Sequence, residues 1–225
     1  MALSTILFDM DGTLLDSRTA VVDAVADGLA GAYRHHGLPP AEPDRKLFAA
    51  CMGLPSDAYF ARAFDPETVP RDRRGAFART FGRLTAAAEV AAIRDGRTAL
   101  YPGAAETLAF LSERHRLLLF SNAGAVYFRA VIAGHGLERV FADALCLEEA
   151  LSRRLASDKA DMIVAMVENP GRAVVVGDRA GDIEAGHAVG ARTVGCRYGF
   201  GSPEELQAAD WIIDGLPELM ALPLA

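Results

Sequence analysis

The stretch Thr5-Ile6-Leu7-Phe8-Asp9-Met10-Asp11-Gly12-Thr13 decides how this chain is read. A short apolar run stops at two acids, a glycine and a threonine. In extended backbone, residues i and i+2 point to the same side, so Asp9 and Asp11 project together while Met10 turns away. Two carboxylates held close repel, unless a cation lies between them or one keeps its proton. Gly12 then permits a sharp departure of the backbone. Read as solvated turn residues, the same pair would carry no chemistry, so the rest of the chain has to choose.

Runs like residues 5–8 recur at 116–120, 144–147, 173–176, 192–196 and 211–213, most followed by small or acidic residues and a helix-like stretch. Continuous rather than alternating apolar runs indicate strands buried on both faces. The expected fold class is α/β, a three-layer, doubly wound parallel sheet. From Ser17 to about Ala92 the rhythm breaks: 19–33, 44–52, 57–64 and 73–92 all read as helices, punctuated by Pro39-Pro40, Gly53-Leu54-Pro55 and Asp65-Pro66. The expectation is a helical cap domain over residues 16–94, inserted after the first strand. The core domain then comprises residues 1–15 and 95–225, with hinges near Asp16 and Arg94-Asp95-Gly96.

Three further clusters follow apolar runs. Ser121-Asn122 ends the second; Ser121 either bonds an anionic oxygen, helped by the donors of the next helix, or caps that helix. Lys159 falls in a first helical turn if Ser157 is the N-cap, where the helix dipole disfavours a cation. It makes sense there if it shares a bound anion with the helix end; a solvated surface lysine is the other reading. Gly177-Asp178 leaves a buried run, and Asp182 follows one helical turn later, where like charges repel slightly and a cation is welcome. In the other reading Asp178 caps the helix and Asp182 faces water. Oxygen-only ligands without clustered His or Cys point to Mg²⁺ rather than zinc or copper.

Each bland reading is tolerable alone, but together they need four polar clusters to end four strands of one sheet by accident. Ligands of open α/β sheets bind beyond the carboxyl ends of the strands, where all four clusters fall. Two acidic clusters, a lysine and a hydroxyl make a Mg²⁺-plus-phosphate site.

The composition agrees. With 225 residues, 51% hydrophobic and 24% charged, the chain can bury a core without disulfides or structural metal. A net charge of −7 argues against nucleic acid or an anionic membrane as partner. Cys51, Cys146 and Cys196 lie far apart and read as buried small residues. The apolar start is cut by Asp9, no run reaches the ~18 residues of a membrane span, and a cytoplasmic location is expected. Lysine occurs only at Lys46 and Lys159.

The order Asp9-x-Asp11-Gly12-Thr13, Ser121, Lys159, Gly177-Asp178-x-x-x-Asp182 resembles the haloacid dehalogenase-like superfamily of phosphohydrolases, from Asp9 to about Phe200. The helical insert resembles its C1 cap. Tyr198-Gly199-Phe200-Gly201 ahead of Ser202-Pro203-Glu204-Glu205-Leu206 is similar to the phosphoglycolate phosphatase and 5′-nucleotidase-like branch. Departures are Ala123-Gly124 where that branch often has Lys-Pro, Ala160 where proline often follows the lysine, and Arg179 where serine is common. The resemblance implies Mg²⁺-dependent hydrolysis of a small phosphorylated metabolite by a monomer or homodimer. Asp9 attacks phosphorus to give an aspartyl-phosphate, and Asp11 serves as acid and then base. Asp9, the Asp11 backbone carbonyl and Asp178 hold the metal, supported by Asp182. Ser121, Asn122, Lys159 and Gly12 bind the phosphate.

The cap decides the leaving group, and its residues match no recognisable motif. Phosphoglycolate needs an inward basic group, for which Arg34, Arg62, Arg79 and Arg83 are candidates. A nucleoside 5′-monophosphate needs a shelf, for which Phe48, Tyr59, Phe60 and Phe77 are candidates, although their spacing suits buried helix faces. The balance tips to a small, phosphoglycolate-like anion. Gly53-Leu54-Pro55 is a turn that in such caps can reach the active site. The arginines Arg71, Arg73 and Arg74 read as a solvated face, and nothing around Lys46 supports a Schiff-base role. More distant alternatives are a receiver-like phospho-acceptor module, which lacks a cap, and a 2-haloacid dehalogenase, which Asp11 argues against.

Overall fold

The structure is a computed structural model describing residues 4–224. Residues 1–3, part of the N-terminal start judged against a leader, and residue 225 lie outside the described residues. Strand β1 (Ser4–Phe8) shows why its apolar run is continuous. Ile6 and Phe8 pack into one side-chain cluster and Leu7 into another, and all three are fully buried. A strand presents alternate residues to opposite faces, so two buried faces demand apolar residues at every position.

The chain next forms a two-residue strand, β2 (Leu15–Asp16), and then four helices, α1 (Arg18–His35), α2 (Arg45–Cys51), α3 (Ser56–Arg62) and α4 (Arg74–Arg94). It returns through β3 (Ala99–Leu100), which pairs antiparallel with β2, Leu15 opposite Leu100. This two-residue ladder ties together the chain leaving the sheet and the chain re-entering it. From there α5 (Ala104–Ser112), β4 (His115–Ser121), α6 (Ala125–Gly134), β5 (Asp143–Cys146), α7 (Leu147–Ser152) and α8 (Lys159–Met166) follow. The last elements are β6 (Ala173–Gly177), α9 (Ala180–Ala188), β7 (Arg192–Cys196) and β8 (Trp211–Ile213).

Six strands form one parallel sheet in the order β5-β4-β1-β6-β7-β8. Helices α5 and α6 cover the face that carries Ile6, Phe8, Val174 and Val176. Helices α7, α8 and α9 cover the face that carries Leu7, Leu118 and Val175. The fold is therefore a three-layer, doubly wound α/β sheet with helices inserted after the first strand. Phe8 lies opposite Leu119 of β4 and Val176 of β6. Asp9, Ser121 and Asp178 thus leave three adjacent strands at one edge, where the strand order reverses and such folds bind ligands.

All six apolar runs of the sequence are strands of this sheet. β2 and β3 are too short to show any period and had no sequence signal. Helix ends move by one or two residues. Asp44, read inside a helix, is the N-cap of α2, its carboxylate accepting from the Lys46 and Leu47 amides. Among the described residues no helix is long and apolar enough to cross a membrane. The three cysteines are buried and unpaired.

Helices α1 and α4 pack lengthwise, with Tyr33 of α1 against Phe77 of α4, and Phe60 of α3 joins the same aromatic cluster against Phe81, ring centroids 4.9 Å apart in each pair. Their closest approach is at Gly28, where a Cβ would lie 2.2 Å from the Thr85 hydroxyl and 2.8 Å from its backbone nitrogen. A mid-helix glycine costs about 1 kcal/mol relative to alanine, and the close crossing explains why it is kept. Gly28→Val is expected to force the helices apart and cost about 1–3 kcal/mol. Thermal unfolding should show this as a Tm about 2–4 °C lower per kcal/mol, and an unchanged Tm would contradict the crossing.

Candidate active site

The site begins where β1 stops. The Asp9 amide still donates to Val176 O at 2.9 Å, continuing the strand pairing by one residue. The chain then folds back: the Leu14 and Leu15 amides both donate to Met10 O, and the Gly12 amide donates to Leu15 O. Gly12 makes this turn at φ +84°, and a Cβ there would lie 2.3 Å from Asp178 Oδ2. Glycine is required twice over, for the dihedral and for the approach.

Asp178 has no exposure and is held from two sides. The Thr13 hydroxyl donates to Oδ1 at 3.0 Å and the Phe200 amide to Oδ2 at 2.7 Å. The loop around Tyr198–Gly201 is thereby wrapped on Asp178, and Tyr198 hydroxyl donates to Thr13 O at 2.8 Å. Burial, with Asp182 alongside, pushes the Asp178 carboxyl up to about 7, against the pull of those hydrogen bonds.

Lys159 stands at the first residue of α8, but the cap is Asp158, not Ser157; Asp158 accepts from the Asp161 amide at 2.8 Å. Ser157 instead bonds the Asp161 carboxylate. The Lys159 ammonium is buried and donates to Asp9 Oδ1 at 2.7 Å and Asp182 Oδ1 at 2.5 Å. Burial alone would lower its pKa; Asp182 and Asp9 outweigh that and hold it above the ordinary lysine value. Asp182 also accepts the Arg179 amide at 3.1 Å. Burial pushes Asp9 well above the usual carboxylate range, Lys159 pulls it back, and Asp182 and Asp178 add to the rise.

Asp9, Asp178 and Asp182 place carboxylate oxygens within 4.8 Å of one another. Three buried carboxylates face one ammonium, an imbalance that disfavours the charged forms without a further cation. The donors are all oxygen, which suits a hard divalent ion. These residues fit a metal site.

Asp11 takes a different neighbourhood from Asp9. Its Oδ1 accepts from Ser17 Oγ at 2.6 Å and from Tyr127 hydroxyl of α6 at 2.7 Å. Burial raises its pKa and those two bonds oppose the rise. Ser121 is buried, and its hydroxyl accepts the Ala123 amide at 3.1 Å; Gly124, not Ser121, caps α6. Asn122 Nδ2 donates to Gly53 O at 2.9 Å, so it touches the inserted helices rather than its own strand end. Arg179 makes a parallel tie, donating to Met52 O at 2.5 Å and to Glu205 at 2.8 Å.

A cavity of about 810 Å³ lies over these residues, with Asp9, Asp11, Ser121 and Lys159 on its floor. The inserted helices supply its apolar wall: Val21, Val25, Leu54, Tyr59, Phe60 and Ala86. The turn Gly53-Leu54-Pro55 does reach it. Of the four arginines considered for an anion only Arg83 lines it, and of the four aromatics only Tyr59 and Phe60; Phe48 and Phe77 are buried among the helices. Lys46 and the five histidines line no part of it. Sequence reasoning missed Ser17, Tyr127 and Glu89. None has a local signal, because each meets the site only through helix packing. Burial and the Asp11 carboxyl push Glu89 up to about 8.

A doubly wound sheet with paired acids, a lysine and a hydroxyl at its switch point defines a hydrolase-type anion site. The chain belongs to the haloacid dehalogenase-like hydrolases, whose family model matches residues 3–190. It is 26% identical to a phosphoglycolate phosphatase of Haemophilus influenzae, over 96% of each chain. It is 27% identical to an N-acetylmuramic acid 6-phosphate phosphatase of Pseudomonas aeruginosa, over 98% of this chain and 94% of the other. Among solved structures, a predicted phosphoglycolate phosphatase from Haemophilus somnus superposes with a TM-score of 0.77 at 25% identity, covering 97% of each chain.

Lys159→Met should leave Asp9 and Asp182 facing each other uncompensated, and breaking such a buried pair costs about 3–5 kcal/mol. Urea unfolding in chelator is the measurement, and a midpoint within error of wild type would contradict the pairing. A divalent cation bound at the three carboxylates is expected to raise the wild-type Tm, by the equivalent of about 2.7 kcal/mol at 100 times Kd. That increment should grow from pH 5 to pH 8 as Asp178 sheds its proton, since protons and metal compete for the same oxygens.

Proposed function

We propose that the phosphatase reaction of this hydrolase runs through an aspartyl-phosphate on Asp9, with Mg²⁺ as cofactor and a small phosphorylated metabolite as substrate. The observation that carries this reading is the pairing on the cavity floor. Asp9 Oδ1 is tied to Lys159, while its Oδ2 accepts no hydrogen bond among the described residues. One oxygen is anchored and the other is available to attack.

In the first step Asp9 Oδ2 bonds to phosphorus, the ester P–O bond breaks, and Asp11 gives the departing oxygen its proton. In the second a water attacks the same phosphorus, Asp11 takes the water's proton, and Asp9 is released with inorganic phosphate. A carboxylate nucleophile splits one difficult displacement into two easier ones. The raised pKa of Asp11 suits a group that must hold a proton and then accept one. Lys159, Ser121, the Asn122 amide and the backbone at Gly12 bind the phosphate oxygens. Asp9, Asp178 and the Asp11 carbonyl would hold Mg²⁺, with Asp182 supporting, and the ion supplies neutralisation of the charge on the transferring group.

Residues 16–94 act as the cap over a core of residues 1–15 and 95–225, the β2–β3 ladder being the neck. Asn122–Gly53 and Arg179–Met52 are the seams that hold the cap turn over the floor. For the substrate, Arg83 at the cavity supports a second anion, as in phosphoglycolate, and Tyr59 and Phe60 support a nucleoside 5′-monophosphate. The names of the relatives add a sugar phosphate to that choice.

Asp9→Asn should lower kcat by at least about 10³-fold, the scale of losing a catalytic nucleophile. Acid quenching during turnover should trap a phosphoprotein with wild type and none with Asp9→Asn. Turnover by Asp9→Asn near the wild-type rate would show that the nucleophile lies elsewhere.

A further inference from the structure

The leaving group is the part of the substrate that the chemistry above leaves open, and the wall of the cavity constrains it. At about 810 Å³ the space falls in the range, roughly 300–1,000 Å³, that encloses ligands of drug size. A two-carbon acid would leave most of it to water. The inserted helices contribute an apolar wall with polar groups at Ser56, Asp57, Arg83, Tyr59 and Glu89, and the last two stand out. Glu89, on α4, lines the cavity, is only partly exposed, and makes no hydrogen bond or ion pair among the described residues. Tyr59, on α3 in the same wall, has a buried hydroxyl without a hydrogen-bond partner. The two are near enough for Glu89 to act electrostatically on the phenol. Polar groups in such walls are ordinarily satisfied.

Resting on the phosphatase reading, we infer that the substrate is a phosphorylated sugar of about hexose size, whose hydroxyl or amide N–H groups donate to the Glu89 carboxyl. The geometry favours this class over both rivals. A second carboxylate placed at Glu89 would meet one carboxyl there and another at Asp11, with only Arg83, an exposed residue, to offset them. A sugar brings donors for Glu89 and apolar C–H faces for Leu54, Phe60 and Val25. Its ring oxygens can accept from Arg83. A nucleobase would find aromatic surface at Tyr59 and Phe60, but its flat ring offers no run of hydroxyls along the wall from Glu89 to Tyr59.

The test compares glucose 6-phosphate, N-acetylglucosamine 6-phosphate, phosphoglycolate and AMP as substrates of the Mg²⁺-loaded full chain, in wild type, Glu89→Gln and Glu89→Leu. At least one hexose phosphate should exceed phosphoglycolate and AMP tenfold or more in kcat/KM. Glu89→Leu should cut that selectivity ratio at least tenfold, mainly through KM. Glu89→Gln, which keeps a hydrogen-bonding oxygen, should hold it within threefold. Preference for phosphoglycolate or AMP overturns the inference, as does a ratio that Glu89→Leu does not move. Calorimetric titration of the same four compounds into Asp9→Asn, with and without Glu89→Leu, reads the same selectivity without chemistry. If no ester is turned over, the phosphatase reading fails. The titration still decides the sugar site, because equal or weaker binding of both hexose phosphates than of phosphoglycolate rejects it.

Discussion

A single buried ammonium, Lys159 Nζ, bridges Asp9 from the end of β1 and Asp182 from the first turn of α9. Two elements far apart in sequence are joined there through one proton-rich group in a site closed to solvent. A charge so placed is tolerable only because its partners are equally buried and correctly aimed. The helix dipole opposes it at the start of α8, so the carboxylates and not the helix hold it. Asp178 is not part of the bridge, and its burial, with Asp182 alongside, holds its proton to near neutrality. The arrangement is short of positive charge, which a cation bound among the three carboxylates would supply.

Everything around that bridge serves close approach. Gly12, Gly199 and Gly201 lie so near Asp178 that a Cβ on any of them would come within 2.3 Å of an Asp178 atom. Two backbone segments, the turn at Gly12 and the 199–201 loop, crowd this residue, and its carboxylate accepts from Thr13 of the first and Phe200 of the second. The helices above are attached through a two-residue ladder, side chains reaching carbonyls of the 52–53 turn, and packing of α4 on α6, where a Cβ on Gly134 would lie 2.5 Å from Ile93. Arg179, which stands where the related branch often has serine, makes one of those reaches.

The fold and the floor were legible because their signals are local. Six apolar runs, each ending in polar or small residues, specify strands buried on both faces and name the edge where ligands bind. The paired acids, the lysine and the Gly-Asp turn carry their chemistry in residue type and spacing. The wall of the cavity was not legible. Phe48 and Phe77 have the same composition and periodicity as Tyr59 and Phe60, yet the first two are core and the second two face the substrate space. Helical periodicity says that a face is buried and not what buries it. Arg34, Arg62, Arg79 and Arg83 differ in the same way.

What the sequence by itself determined is the set of elements, their class and the chemical inventory at the strand ends. These follow from hydrophobic period and side-chain chemistry within a few residues of one another. Only the tertiary structure decided partnership. Lys159 is paired with carboxylates rather than waiting for an anion, Ser121 holds a turn rather than capping a helix, and Asn122 spans to the inserted helices. It also placed Glu89 and Tyr59 in the wall of the cavity. Those outcomes depend on distances between segments more than a hundred residues apart in several cases, such as Lys159 to Asp9 and Tyr127 to Asp11. No local pattern encodes such distances; they are set by how the sheet orders its strands and how the helices pack across it.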